Sequence, residues 1–343
     1  MTSQLRGDPA VVAVDGGNSK TDLALIAADG TLLASVRGPG MPNRLSEENV
    51  QIIADLLKSA VDATGGASSL AGIAKDTVAC VANVDLPDEE RQLEQMLADQ
   101  GWTQTTLVAN DTFAVLRAGL DDVPAAGADR LWGVGVTCGA GINCAGMAPD
   151  GRKEGFLALG QITGDWGGGL SLGIDAQWWA IRAQDGRGPH TVLRQLVPRH
   201  FGLAEPTDLG VSLHLGKIGL ERLVELAPLV FDAADSGDQV ARDLVRKLAD
   251  EIALMASAVI RRLDLTDAAV PVILGGGVLA ARGPLLIDAI TAQIAAVAPA
   301  CTVRVIEAAP VAGAALLGLD RIGAPVTAMH RLREEFGRQH ISG

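Results

Sequence analysis

The sequence predicts an α/β fold of two lobes that repeat one order of elements, βββαβαβ. Three observations predict it. Apolar strand-like runs alternate with amphipathic helices, each half opens on a strand–turn–strand hairpin, and three glycine-rich loops each follow an apolar run. At 343 residues the chain exceeds one comfortable core and suits two domains of ordinary size.

In the first half, Val11–Val14 is an apolar run entering Asp15-Gly16-Gly17, as a buried strand enters a tight loop. Thr21–Ala27 and Thr31–Val36 flank Asp29-Gly30, which signals a two-residue hairpin. A helix should start at Ser46, with Glu47 and Glu48 in its first turn and Val50, Ile53, Leu57, Ala60 and Val61 on its core side. Val78–Val84 reads as a strand, Asp88–Ala98 as a helix and Thr106–Ala109 as a strand ending in Asn110-Asp111. The Pro/Ala/Gly/Asp-rich stretch Asp121 to Asp129 is the candidate boundary.

Beyond it the order recurs. Leu131–Val136 is a strand leading into Gly139-Ala140-Gly141; Ile142–Met147, Pro149-Asp150-Gly151 and Arg152–Leu157 form the next hairpin. Helices fill Leu170 to Leu263, including a long one capped by Ser236, with Val240, Leu244, Leu248, Ile252, Met255 and Val259 along one side. Val270–Leu274 is a buried strand before Gly275-Gly276-Gly277, and Thr302–Ile306 is the last strand. The expected division is a lobe of residues 1–120, with a C-terminal helix in 325–343 packing back on it. A larger lobe of 121–324 carries a helical insertion, 169–264.

Composition narrows the function. A net charge of −13 repels nucleic acid and anionic membrane, and 3% aromatic residues with no tyrosine leave little for base stacking. No window has the roughly 18 apolar residues of a spanning helix. The polar start, Met1 to Pro9, lacks the apolar core of a signal peptide, so a cytoplasmic location is expected. Cys80, Cys138, Cys144 and Cys301 lack CxxC spacing and the histidines lack HxxxH spacing, so neither a structural zinc nor a disulfide framework is expected.

The chemistry lies in the loops. Glycine admits positive φ and lets backbone N–H groups approach phosphate oxygens closely. Asp15-Gly16-Gly17-Asn18-Ser19-Lys20, Cys138-Gly139-Ala140-Gly141-Ile142-Asn143 and Gly275-Gly276-Gly277 all have that character. None fits GxxxxGK[ST], nor a GxGxxG that opens a helix. Asp15, ending a buried strand beside such a loop, suits an outer ligand of nucleotide-bound Mg²⁺. Asp111, also at a strand end, suits a base for a hydroxyl attacking a phosphate, while Asn110-Asp111 also suits a cap for the helix Phe113–Gly119.

Taken together, these residues resemble the sugar kinase, Hsp70 and actin superfamily. Asp15–Thr21 looks like its first phosphate loop, Val134–Asn143 like the second, Val272–Val278 like the adenosine motif and Pro310–Leu316 like the second connecting helix. Asn110-Asp111-Thr112, Gly141–Cys144, Pro149-Asp150-Gly151 and Gly164-Asp165 are most similar to the branch holding N-acetylglucosamine kinase and the BadF/BadG/BcrA/BcrD ATPases. The resemblance implies duplicated RNase H-like domains closing on ATP, and transfer of its γ-phosphoryl group, with Mg²⁺, to a hexosamine such as N-acetylglucosamine. By position, Asp111 would be the base, and Asn43, Ile142, Asn143, Gly160 and Asp165 sugar contacts. Gly16, Gly17, Asn18, Ser19, Lys20, Gly139, Ala140, Gly141, Gly275, Gly276 and Gly277 would lie on the ATP side, with Asp15 toward the metal.

The chain departs from the branch in places. Its second loop usually reads GTGSN and here reads Gly139-Ala140-Gly141-Ile142-Asn143; GWG becomes Ala158-Leu159-Gly160, and GDE becomes Gly164-Asp165-Trp166. These changes keep open a glucosamine or muramic acid kinase, a non-sugar ATPase and a sugar sensor. Homodimers are common among such relatives, and no segment here points to one.

Overall fold

The computed structural model describes residues 7–42, 44–65, 69–123, 131–280, 283–306 and 308–341. It contains two five-stranded sheets with flanking helices, and the chain divides into two compact units.

The first unit comprises Met1–Gly135, Ala145–Leu157 and Ile306–Gly343. Its sheet is built from β1 (Pro9–Gly16), β2 (Lys20–Ala27), β3 (Leu32–Pro39), β4 (Ala74–Val81) and β5 (Thr103–Asn110), in the order β3-β2-β1-β4-β5. β1 runs antiparallel to β2 and parallel to β4, which sets Asp15 opposite Asp22 on one side and Cys80 on the other. Strand periodicity then sorts the side chains between the two faces. Val12, Val14, Leu23 and Leu25 pack with α1 (Glu47–Ala63) and α2 (Pro87–Ala98) through Ile53, Leu57, Leu93 and Leu97. Val11, Ala13, Ala24 and Ile26 pack on the opposite face with α3 (Asp111–Gly119), α11 (Pro310–Arg321) and α12 (Val326–Ile341).

That second face brings the C-terminal helices of the chain back to its opening strands. A Cβ on Gly313 of α11 would lie 1.9 Å from the Ala114 carbonyl oxygen of α3, so the two helix backbones touch. α12 seats Ala328 against the turn at Gly30 and Leu332 and Phe336 in the core. Its Arg333 donates to the Ala118 and Leu120 carbonyls, each at 2.7 Å, and pairs with Asp122. Only part of the Asp121 to Asp129 stretch, residues 121–123, is described.

The second sheet is ordered β10-β9-β6-β7-β8, from β6 (Gly133–Cys138), β7 (Ile142–Met147), β8 (Lys153–Gly155), β9 (Pro271–Gly275) and β10 (Thr302–Val305). The second unit, Val136–Cys144 and Ala158–Val305, adds helices α4 (Gly168–Asp185), α5 (Leu193–His200), α6 (Pro206–His214) and α7 (Ala227–Asp235). It also holds α8 (Gln239–Arg262), the single turn α9 (Gly277–Ala280) and α10 (Pro284–Ala295).

Two local expectations need correction. The first hairpin loop is not a two-residue turn: Gly30 N–H donates to Ala27 O and Ala27 N–H to Thr31 O, with Gly30 at φ 86°, which encloses three residues. Ala148, Gly151 and Arg152 repeat that pattern, with Gly151 at φ 94°. A turn closed by a left-handed glycine gives this geometry. The long helix is capped by Asp238 rather than Ser236, which instead ends α7. The Asp238 carboxylate accepts from Ala241 N–H at 2.9 Å, and also from Thr191 Oγ1 and Val192 N–H.

Candidate functional site

In the first unit, β1 carries Asp15 and Gly16 to a four-residue turn in which Gly17 N–H donates to Lys20 O at 2.9 Å. The chain after β3 closes on this turn from outside. Met41 N–H donates to Gly17 O, and a Cβ on Gly40 would meet Asn18 O at 2.1 Å, so only glycine fits there. From β4's end, Ala82 N–H donates to Gly16 O, and Asn83, in the left-handed region at φ 65°, donates to the Asn18 side chain. Asn18, Ser19 and Lys20 are exposed. The Lys20 ammonium lies 3.5 Å from Asp22, whose carboxylate also takes Arg37 at 2.6 and 3.1 Å.

Asp111 occupies the first turn of α3. The helix is capped by Asn110, whose Oδ1 accepts from Thr112 N–H at 3.0 Å and Thr112 Oγ1 at 2.5 Å, while its Nδ2 donates to Asp85 at 2.8 Å. The cap and the candidate base are therefore adjacent residues with separate tasks. Burial pushes the Asp111 carboxyl up to about 6, against the pull of the Thr112 amide and hydroxyl. Burial also pushes Asp15 up to about 7, reinforced by the nearby charges of Asp111 and Asp22 and offset by Lys20 and Arg37.

That electrostatic state is a test for Mg²⁺. Asp15 is 9% exposed and repelled by its acidic neighbours, so a cation beside it would restore its ionised form. Among the described residues no group of three or more His, Cys, Asp or Glu could hold a metal ion. The residues fit a magnesium carried mainly by phosphate oxygens and water, with one or two carboxylates behind it.

In the second unit, the loops at Gly139 and Gly276 meet. A Cβ on Gly276, at φ 103°, would lie 2.4 Å from Cys138 O, whereas Gly139, Gly141 and Gly277 have open space on their Cβ sides. Gly139 N–H donates to Gly141 O. The start of α4 then locks the loop: Gly169 N–H donates to Gly139 O at 2.8 Å and Leu170 N–H to Ala140 O at 3.0 Å. Gly168, at φ 76°, leaves only 2.5 Å between a Cβ and the Ala140 and Gly141 carbonyls.

Of the expected sugar contacts, Asn43 lies outside the described residues. Ile142 is buried with its side chain under Gly167, and Asn143 is buried with Oδ1 accepting from Cys144 N–H at 2.7 Å. Gly160 and Asp165 are brought together by Asp165 N–H donating to Gly160 O at 3.1 Å. Thr163 Oγ1 donates to the Asp165 carboxylate at 2.5 Å.

Several participants escaped sequence reasoning. Gly167, Gly168 and Gly169 support the second loop, yet three glycines read as helix breakers, and Asn83 and Gly40 act through contacts no local pattern signals. Thr21 and Thr137, on strands flanking the first and second loops, bury hydroxyls that find no partner among the described residues. A buried unpaired hydroxyl is costly unless a ligand or solvent satisfies it.

The sequence model of the BadF/BadG/BcrA/BcrD ATPase family matches residues 12–318. The chain belongs to this family. This ATPase-family member is 26% identical over 273 residues to the N-acetylmuramic acid/N-acetylglucosamine kinase of Clostridium acetobutylicum, covering 78% of this chain and 85% of that protein. It is 23% identical to the N-acetyl-D-glucosamine kinase of Dictyostelium discoideum, covering 90% and 97% of the respective chains. In fold it is similar to the crystal structure of a candidate N-acetylglucosamine kinase from Chromobacterium violaceum, with TM-score 0.66, 24% identity and coverage of 91% and 99%. It is also similar to a ROK family glucokinase from Streptomyces griseus in complex with glucose and AMPPNP, with TM-score 0.54, 18% identity and coverage of 91% and 98%. The duplicated actin-like sugar kinase fold is therefore the fold of this chain.

Proposed function

We propose that this family member is an ATP-dependent kinase of an amino sugar, converting N-acetylglucosamine to N-acetylglucosamine 6-phosphate with Asp111 as general base. The observation that carries the reading is Asp111 itself. A carboxylate held near 6 by burial is ionised at neutral pH yet more basic than an exposed aspartate. Asn110 is the residue that caps α3, accepting from Thr112 N–H, so Asp111 follows the cap in the first turn of the helix.

In this reading Asp111 accepts a hydrogen bond from the sugar hydroxyl and orients it. As the hydroxyl oxygen bonds to the γ-phosphorus and the bond to the ADP oxygen breaks, Asp111 takes the hydroxyl proton and later returns it to solvent. Bound Mg²⁺ would neutralise phosphate charge and stabilise the leaving oxygen. Asp15 would hold that ion from its outer shell, and the Gly16–Lys20 turn and the loops at Gly139–Gly141 and Gly275–Gly277 would direct backbone N–H groups at phosphate oxygens. Asn143, Gly160 and Asp165 are assigned to sugar hydroxyls by their resemblance to family positions. The names of the two kinase relatives support an amino sugar as acceptor.

N-acetylmuramic acid is the second reading, favoured by the two substrates in the name of the Clostridium relative. A coupled assay of ADP release against N-acetylglucosamine, glucosamine, N-acetylmannosamine and N-acetylmuramic acid tests both. Sugar-dependent turnover, greatest with N-acetylglucosamine, is expected; ADP release indifferent to every amino sugar would refute the kinase reading.

A further inference from the structure

The segment 158–167, which carries Gly160 and Asp165, has few anchors of its own. Leu157, Leu159 and Ile162 around it are 47%, 40% and 86% exposed, and its far end is held where Gly167 packs on Ile142 and donates to Ser171 Oγ at 3.2 Å. Its hydrogen bonds are largely local: Leu159 N–H donates to Thr163 Oγ1, and Asp165 receives Thr163 and reaches back to Gly160. Ala158, at φ 51°, is a non-glycine residue in the left-handed region, a conformation that the surroundings must enforce.

Trp166 supplies an outside contact. The Lys247 ammonium of α8 stands 3.7 Å from the centre of its ring, close enough for a strong cation–π interaction. The same ammonium is 3.0 Å from the Asp175 carboxylate of α4, which fixes it from the other side. α8 is itself rigidly placed, with Leu244, Val245, Leu248 and Ala249 buried around Lys247. One turn further along α8, Glu251 feels the charges of Lys247, Asp250 and Asp165, so Asp165 lies near this face of the helix. A carboxylate–ammonium–indole stack thus connects two helices to the residue that follows Asp165.

We propose that Lys247 is a positioning residue for sugar recognition: by stacking on Trp166 it clamps segment 158–167, and with it Asp165, against α8. The inference rests on the assignment of Asp165 to the sugar. It also gives the tryptophan that replaces the branch's usual acid a task, because an acid there would offer Lys247 a salt bridge but no broad face to press against.

The test uses the full chain with Lys247→Met, Lys247→Arg and Trp166→Phe. Lys247→Met should raise KM for the accepted amino sugar about tenfold, the scale of one lost cation–π contact, with kcat and KM for ATP held within about twofold. Lys247→Arg, which keeps a cation over the ring, should restore the sugar KM. Trp166 emission, assigned by difference from Trp166→Phe, should change in Lys247→Met and recover in Lys247→Arg. Chymotrypsin cleavage at Leu157, Leu159 or Trp166 should accelerate in Lys247→Met alone. An unchanged sugar KM in Lys247→Met, a failed arginine rescue, or an ATP KM that moves in step would overturn the proposal. Should no amino sugar be phosphorylated by the unaltered chain, the functional reading falls by itself. The clamp is then decided by emission and cleavage: changes in both uphold it, and no change overturns it.

Discussion

Replacing Asp111 by Asn keeps the shape of the α3 start and its Asn110 cap while removing one carboxylate, and two opposite effects should follow. A general base contributes about 10²–10⁴-fold, so kcat should fall by that factor, equivalent to about 3–5 kcal/mol of barrier. Stability should move the other way. The carboxyl titrates near 6 in the folded chain against 3.8 for the ordinary group, so the folded state holds the proton more tightly. Folding is therefore penalised as pH rises from 3.8, and the penalty is complete above about 6. A shift of about two units corresponds to about 3 kcal/mol at pH 8, and roughly half of that at pH 5. Asp111→Asn removes the penalty, so urea unfolding should show a stabilised protein, with the larger gain at pH 8. ADP release measured on the same samples supplies the activity. Turnover within about tenfold of the unaltered chain would remove Asp111 as the base, and an equal stability gain at both pH values would refute the burial argument.

Three further outcomes follow from the same structure. Asp15→Asn should raise the Mg²⁺ concentration giving half-maximal rate, with little effect on sugar KM, as read from metal titrations at fixed ATP and sugar. Gly276→Ala forces a side chain against the Cys138 carbonyl from a φ of 103°, and should cost about 1–3 kcal/mol in unfolding experiments and raise KM for ATP. Arg321→Met removes the cation bonded to Asp76 at 2.7 and 3.1 Å and leaves that carboxylate, 1% exposed, with the Thr105 hydroxyl at 2.6 Å; thermal unfolding should report a loss of about 3 kcal/mol.

What could be read from the sequence was what the chain encodes locally. The strand through Val11–Val14 and the helix after Ser46 follow from apolar periodicity and capping chemistry, and both stand in the structure. Glycine loops after apolar runs marked the phosphate side because glycine tolerates conformations and approaches that other residues do not. The cap of α8 was misplaced by two residues because Ser236 and Asp238 are equally good caps in isolation. Asp238 wins by also holding Thr191 and Val192, partners invisible to a local pattern. The same reason hid Gly40 against Asn18 and Lys247 against Trp166. Such pairs meet only after the fold has formed, and nothing in either residue's neighbourhood announces the other.

The split construction of the first unit bears on how this protein is made. Its opening strands pack one face against α11 and α12, which lie beyond residue 306, while the whole second unit is interposed. About 150 residues separate Leu157 from Ile306, and at roughly 5–20 residues per second the ribosome needs on the order of ten to thirty seconds to cross them. For that interval Val11, Ala13, Ala24 and Ile26 have no native cover on their α11–α12 side. Until its final helices emerge the nascent chain therefore carries this face with α3 but without α11 and α12, and a message truncated before them would leave apolar surface of the kind that favours aggregation.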